Sequence, residues 1–157
     1  MANDVKTSYM GLKVYKTKLG QSPTSADLVS NVVQVGGGGH TFRTIDVTDF
    51  DSNGVAQLMA TIADLNVFNV TLNIVGEAAY DSMVSQADKL SSDADFNFDL
   101  YIIAPKPVNF TKARGIKLTG FMSNFQDFNA TQDTAQQIAF DFQPVLKPTR
   151  VVAEITE

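Results

Sequence analysis

The chain has 157 residues, 44% hydrophobic and 18% charged, with a formal net charge of −5. That is enough chain for one domain burying about two-thirds of its unfolded surface, and too apolar a chain to be disordered throughout. Cysteine is absent, which removes disulfide scaffolds, thiolate zinc sites and cysteine nucleophiles together. Residues 1–157 read as a single domain without internal repeat or linker. No run approaches the roughly 18 apolar residues needed to cross a bilayer, and residues 1–6 lack an apolar signal core. The expectation is a soluble chain made in a cytoplasm, with no membrane partner. Net acidity argues against a nucleic-acid-binding surface.

Period-two alternation opens the chain: Met10, Leu12 and Val14 oppose Tyr9, Lys13 and Tyr15, as in a half-buried strand. A polar loop with Gly20 and Pro23 follows over 16–30. Two strand-like runs, 31–35 and 41–47, flank Gly36, Gly37, Gly38, Gly39 and His40. A phosphate cradle would need a Gly-Lys-Ser/Thr ending or a helix start after the glycines. Neither is present, so the run is expected to be a hairpin turn with an exposed histidine. His40 is the only histidine, and no Gly-x-Ser-x-Gly elbow accompanies it.

Asp46, Asp49, Asp51 and Asn53 then crowd the stretch 44–54. Asp49, Asp51, Asn53 and Gly54 supply a fragment of a calcium loop, but its twelfth position, which should be a bidentate Glu, is Ala60. A strand-to-helix turn capped by Asp51, Ser52 or Asn53 is locally sufficient. Val55, Leu58, Met59, Ile62 and Leu65 then recur at helical spacing and predict an amphipathic helix.

Further on, Phe68, Val70, Leu72 and Ile74 alternate as a strand. Tyr80, Met83, Val84, Ala87 and Leu90 predict a second helix, with Glu77 and Asp81 near its start and Lys89 near its end. Phe96, Phe98, Leu100 and Ile102 make another half-buried strand. A loop over 104–115 carries Lys106, Lys112 and Arg114. Ile116 and Leu118 begin a strand whose apolar phase shifts to Phe121 and Phe125 past Gly120, the mark of a bulge or bend. After a polar connection over 126–134, Ile138, Phe140 and Phe142 oppose Gln137, Ala139, Asp141 and Gln143. Strands interrupted by helices predict an α+β, mainly β sandwich or barrel with one or two flanking helices and long loops.

Charge is segregated as well. Between Asp46 and Asp99 stand ten acidic residues and one basic residue, Lys89, while the other eleven Lys and Arg lie outside that window. Such separation lets the acidic region of one copy meet the basic region of another. No carboxylate spacing points to catalysis, and tryptophan, common in sugar clefts, is absent. No enzyme activity, cofactor or metal is expected. The eleven Phe and four Tyr could instead line a small-ligand β-barrel.

The run Ile45-Asp46-Val47-Thr48-Asp49-Phe50-Asp51-Ser52-Asn53-Gly54 resembles a motif of the major tail tube proteins of long-tailed bacteriophages. Gly120-Phe121-Met122-Ser123-Asn124-Phe125 and Ile138-Ala139-Phe140-Asp141-Phe142-Gln143-Pro144-Val145 resemble the family's later strands, in the same order. The resemblance covers roughly residues 41–150. It implies a structural virion protein, assembled in the host cytoplasm, whose copies form hexameric rings stacked into a conduit for DNA. Its partners would be itself, a tape-measure protein, a tail terminator and tail-tip or baseplate proteins; DNA would pass without specific binding. On this reading Lys16 and Lys18, in one loop, and Lys106, Lys112 and Arg114, in another, are candidates for contacts between subunits. Gln137, Asp141 and Asn124 would face the lumen. The inner tube of a contractile tail or related injection machine shares the fold and is the alternative, although the motif leans towards a non-contractile tail. A soluble ligand-binding β-barrel is the alternative of another class.

Overall fold

The computed structural model describes residues 12–29, 32–49, 54–107, 110–128 and 136–153. Among these residues ten strands and one α-helix follow one another: β1 (Lys13–Thr17), a 3-10 turn (Ser25–Asp27), β2 (Leu28–Val29), β3 (Val32–Gly37), β4 (His40–Asp46), β5 (Leu58–Leu65), β6 (Phe68–Asn73), α1 (Glu77–Ala87), β7 (Phe98–Ile103), β8 (Ala113–Gln126), β9 (Gln137–Pro144) and β10 (Thr149–Ala153). Eight strands form one sheet in the order β2-β1-β7-β8-β9-β6-β3, with β10 beside β8; β4 and β5 form a separate ribbon. Every pairing is antiparallel. The expected mainly β, α+β class therefore holds. No helix among the described residues is long and apolar enough to cross a membrane.

The alternating residues build the core as their period requires. Phe140 and Phe142 of β9, Leu118 of β8, Leu100 of β7, Val70 of β6 and Val14 of β1 are each at most 2% exposed. They share one sheet face with Met83, the helix's apolar contribution. Burying each such side chain contributes about 1.5–3 kcal/mol. The ring of Phe98 meets Phe142 edge-on at 5.1 Å between centroids.

Strand β7 departs from the expected half-buried pattern, for all six of its residues are buried. Its second face is covered because Tyr101 and Ile103 pack with Tyr15, Ala113 and Val151 in a smaller cluster. Asp99, 1% exposed, also lies on this face. Its carboxylate accepts hydrogen bonds from the Thr119 hydroxyl at 2.7 Å and the Gly20 N–H at 3.0 Å, with the Lys117 ammonium 3.6 Å away. Buried charge is tolerated when it is paired and hydrogen-bonded in this way.

The helix expected over 55–65 is strand β5, paired with β4 through Ile45–Met59 and Asp46–Leu58. Helical spacing misleads here because the strand is apolar on both faces, which imitates a 3.6-residue stripe. An isolated helix of this length is marginal in water, so a partner strand decides the outcome. The turn-to-helix reading of 51–53 falls with it, and Phe50 to Asn53 lie outside the described residues. The second expected helix is present but ends at Ala87, leaving Leu90 and Lys89 beyond it.

The phase shift expected near Gly120 falls three residues later. The β8–β9 register slips between Met122 and Asn124. Gly120 serves another purpose: a Cβ there would overlap the Gln143 carbonyl. Gly120→Ala is therefore expected to cost about 1–3 kcal/mol, the range of overpacked sites, read by urea denaturation. An unchanged midpoint would show that β9 can move aside.

Candidate functional site

Glycines decide where the chain leaves the sheet. Gly37, Gly38 and Gly39 take φ of +84°, +86° and +80°, a region other residues rarely adopt. A side chain on Gly38 would also run into the Phe68 ring. Contrary to the expected hairpin turn, β3 and β4 do not pair with each other: β3 pairs with β6, and β4 pairs with β5. The Gly38 N–H donates to the Val67 carbonyl at 3.0 Å and the Asn66 N–H to the Gly39 carbonyl at 3.1 Å. The glycines thus bend one long, two-stranded ribbon, so that β3–β6 stay in the sheet and β4–β5 leave it as an arm.

Among the described residues, nothing covers that arm. Every residue of β4 is exposed, and six of the eight in β5. Its apolar side chains are among those left in water: Phe42, Ile45, Leu58, Met59 and Ile62 are 46–67% exposed. Arg43 and Asp64 hold a bidentate ion pair at 2.9 and 3.2 Å. Since both side chains are exposed, solvent screens the pair and it adds little to stability. Near the tip, the Asp46 carboxylate accepts from the Thr48 N–H at 2.8 Å. Hydrogen bonding from the Thr48 side chain and then its N–H lowers the Asp46 pKa, keeping the group ionised. His40, exposed as expected, sets its ring edge-on to Phe42. The described residues hold no group of three or more potential metal ligands of the His, Cys, Asp or Glu type.

At the other end of β6 lies a cavity of about 420 Å³, walled by β2, the β6–α1 connection and α1. Lys16, Leu28, Leu72, Ile74, Val75 and Met83 are among its lining residues. A smaller cleft of about 220 Å³ shares Lys16 and Ser82 and adds Lys18, Lys89 and Asp95. Burial, then the nearby Lys89 cation, lowers the Lys16 pKa, with Asp95 and Asp27 acting the other way. Lys16 also rides over the Phe98 ring at 5.0 Å.

The three residues expected to face a lumen share one sheet face. Asn124 pairs with Asp141 across β8–β9, and Gln137 lies four residues before Asp141 on β9. Asn69 donates to the Asp141 carboxylate at 2.7 Å, and Gln137 donates to Asn73 at 3.1 Å. Along β6, β9 and residues 121–126 of β8, Asp141 is the one charged side chain.

The five basic candidates are not brought together. β1 runs from its Ile103 pairing to its Asp99 pairing, which carries Lys16 and Lys18 away from Arg114, beside the Ile103 end of β7. Nor is the region 16–30 one long loop, because β1 extends through Thr17 and β2 spans Leu28–Val29. Arg114 belongs to β8, its guanidinium over the Phe110 ring at 5.6 Å. Lys112 precedes that strand and Lys106 is exposed in the loop before it. The arm itself was missed by sequence reasoning, whose one available signal was apolar residues on both faces of 58–65.

No protein-family model matches the chain, and no curated protein does. Among solved structures, a chain in the cryo-EM structure of the anti-feeding prophage cap, a tube-terminating cap, shares the fold at a TM-score of 0.65. It is 16% identical, and the match covers 98% of this chain and 95% of that one.

Proposed function

We propose that this chain is a structural protomer of a phage-tail-type tube, with no catalytic role, whose copies join into stacked rings around a conduit for DNA. The observation that carries the reading is the uncovered arm. A two-stranded ribbon standing alone is marginally stable in water, and exposed apolar clusters mark contact surfaces. A second copy supplies the missing cover. The shared fold with a tube-cap chain supports the same class of assembly.

Stacking in one direction needs unlike faces, which the molecule has. The arm leaves β6 at Phe68, while the cavity opens beyond Asn73 at the opposite end of that strand. A head-to-tail contact of this kind propagates instead of closing on itself. The polar face bearing Gln137, Asn124 and Asp141 is our candidate lumen wall, since amides and one carboxylate offer phosphates no positive charge to hold them. Asp141→Lys is expected to leave the fold and the tube intact and to slow DNA passage. DNA release timed from particles carrying that tube checks it, and unchanged release would remove this face from the lumen.

The match to a tube-terminating cap favours a second reading, in which this chain closes a tube as a single ring. Electron microscopy of the concentrated protein separates the two. Long tubes support a repeated protomer; rings that bind only tube ends support a terminator. A persistent monomer, with and without tail initiator proteins, would count against both.

A further inference from the structure

We infer that the 420 Å³ cavity between α1, β2 and the end of β6 is the socket for the β4–β5 arm of a second copy, with Lys16 receiving an arm carboxylate. The inference rests on the tube-protomer reading and adds the residues of both sides of the contact.

Position comes first. A strand rises about 3.3 Å per residue, so six-residue β6 separates arm and cavity by about 20 Å within one copy. The seven-residue strand β4 makes the arm about 23 Å long, and it starts from the end of β6 opposite the cavity. No arm residue lines the cavity of its own copy, whereas a neighbour stacked along β6 would present its cavity to the arm.

Chemistry matches as well. The cavity mouth exposes apolar surface, with Val75 72% and Leu28 39% exposed. On one face the arm offers Leu58 at 65% and Ile62 at 67%. Among the described residues the Lys16 ammonium donates no hydrogen bond and forms no ion pair. Asp95 and Asp27 act on this partly buried cation from beyond ion-pair distance, which leaves room for a closer carboxylate. Directly opposite Leu58 on the arm stands Asp46, on the same face as Leu58 and Ile62, so one approach delivers apolar side chains and a carboxylate together.

Because the chain has no cysteine, a disulfide test is clean. Leu58→Cys protein is mixed with Val75→Cys protein under mild oxidation. Both positions are exposed in the single copy, so each variant should fold. The mixed dimer is expected to form at least tenfold faster than either like pair, and tenfold faster than Leu58→Cys with Val152→Cys on β10. Lys16→Gln and Asp46→Asn should each raise the critical concentration for assembly several-fold. Combined, they should raise it no further than one alone, as partners in one contact do. Tubes that form without the preferential cross-link would overturn the socket and leave the tube reading standing. Absence of both tubes and cross-links would overturn the two together. Inorganic phosphate that protects Lys16 from acetylation without raising the critical concentration would assign the site to a free anion and overturn the inference. So would a small apolar ligand that fills the cavity while tubes still grow.

Discussion

Replacing residues 42–63 with an Asn-Gly turn is expected to abolish assembly and leave a folded monomer. The register supports that design: Thr41 pairs with Asp64 and His40 with Leu65, so a two-residue turn closes the ribbon where the arm begins. Among the described residues, no buried hydrophobic lies between Val29 and Phe68, so excision takes none of the described core. Light scattering at high concentration reads the first effect, and circular dichroism melting the second. Each arm–socket contact is modest alone, but a tube repeats it in every ring, so the loss should be complete. Tubes of ordinary length from the shortened chain would show that the arm is not the joint.

Phe140→Ala is expected to destabilise the protomer by about 3–5 kcal/mol, as truncation of buried aromatics does. Phe140 is 2% exposed and pairs with Val70 on one side and Phe125 on the other, so no neighbour can easily collapse into the space it leaves. For a domain of this size that loss lowers the melting temperature by roughly 10 °C. The two variants form a contrast: one removes assembly and spares the fold, the other weakens the fold and leaves the arm intact. A melting temperature unchanged by Phe140→Ala would mean that β9 does not carry the core.

Strands whose apolar residues face one packed core were legible in the sequence, because alternation then reports burial directly. β6 and β9 are of this kind, and Gln137, Asn124 and Asp141 accordingly emerge on one face. Legibility failed where partners lie far away in sequence. β7 reads as half-buried because Tyr101 gives no sign of meeting Tyr15 and Val151, which enclose its second face. β5 reads as a helix because its apolar residues serve both faces of an arm that has no core behind it. Gly37, Gly38 and Gly39 signalled a turn, but only the pairing of β4 with β5 shows that they turn a ribbon out of the sheet. The 420 Å³ cavity joins residues 16, 28, 74 and 83, a juxtaposition no local pattern contains.

The most direct test of the tube reading is a cryo-EM reconstruction of the assembled protein, grown at high concentration or on tail initiators. Hollow tubes of stacked rings are expected, with the β4–β5 arm of each copy reaching into the adjacent ring and the Asp141 face lining the bore. Compact monomers under every condition, or an ordered assembly in which the arm stands free in solvent, would contradict it.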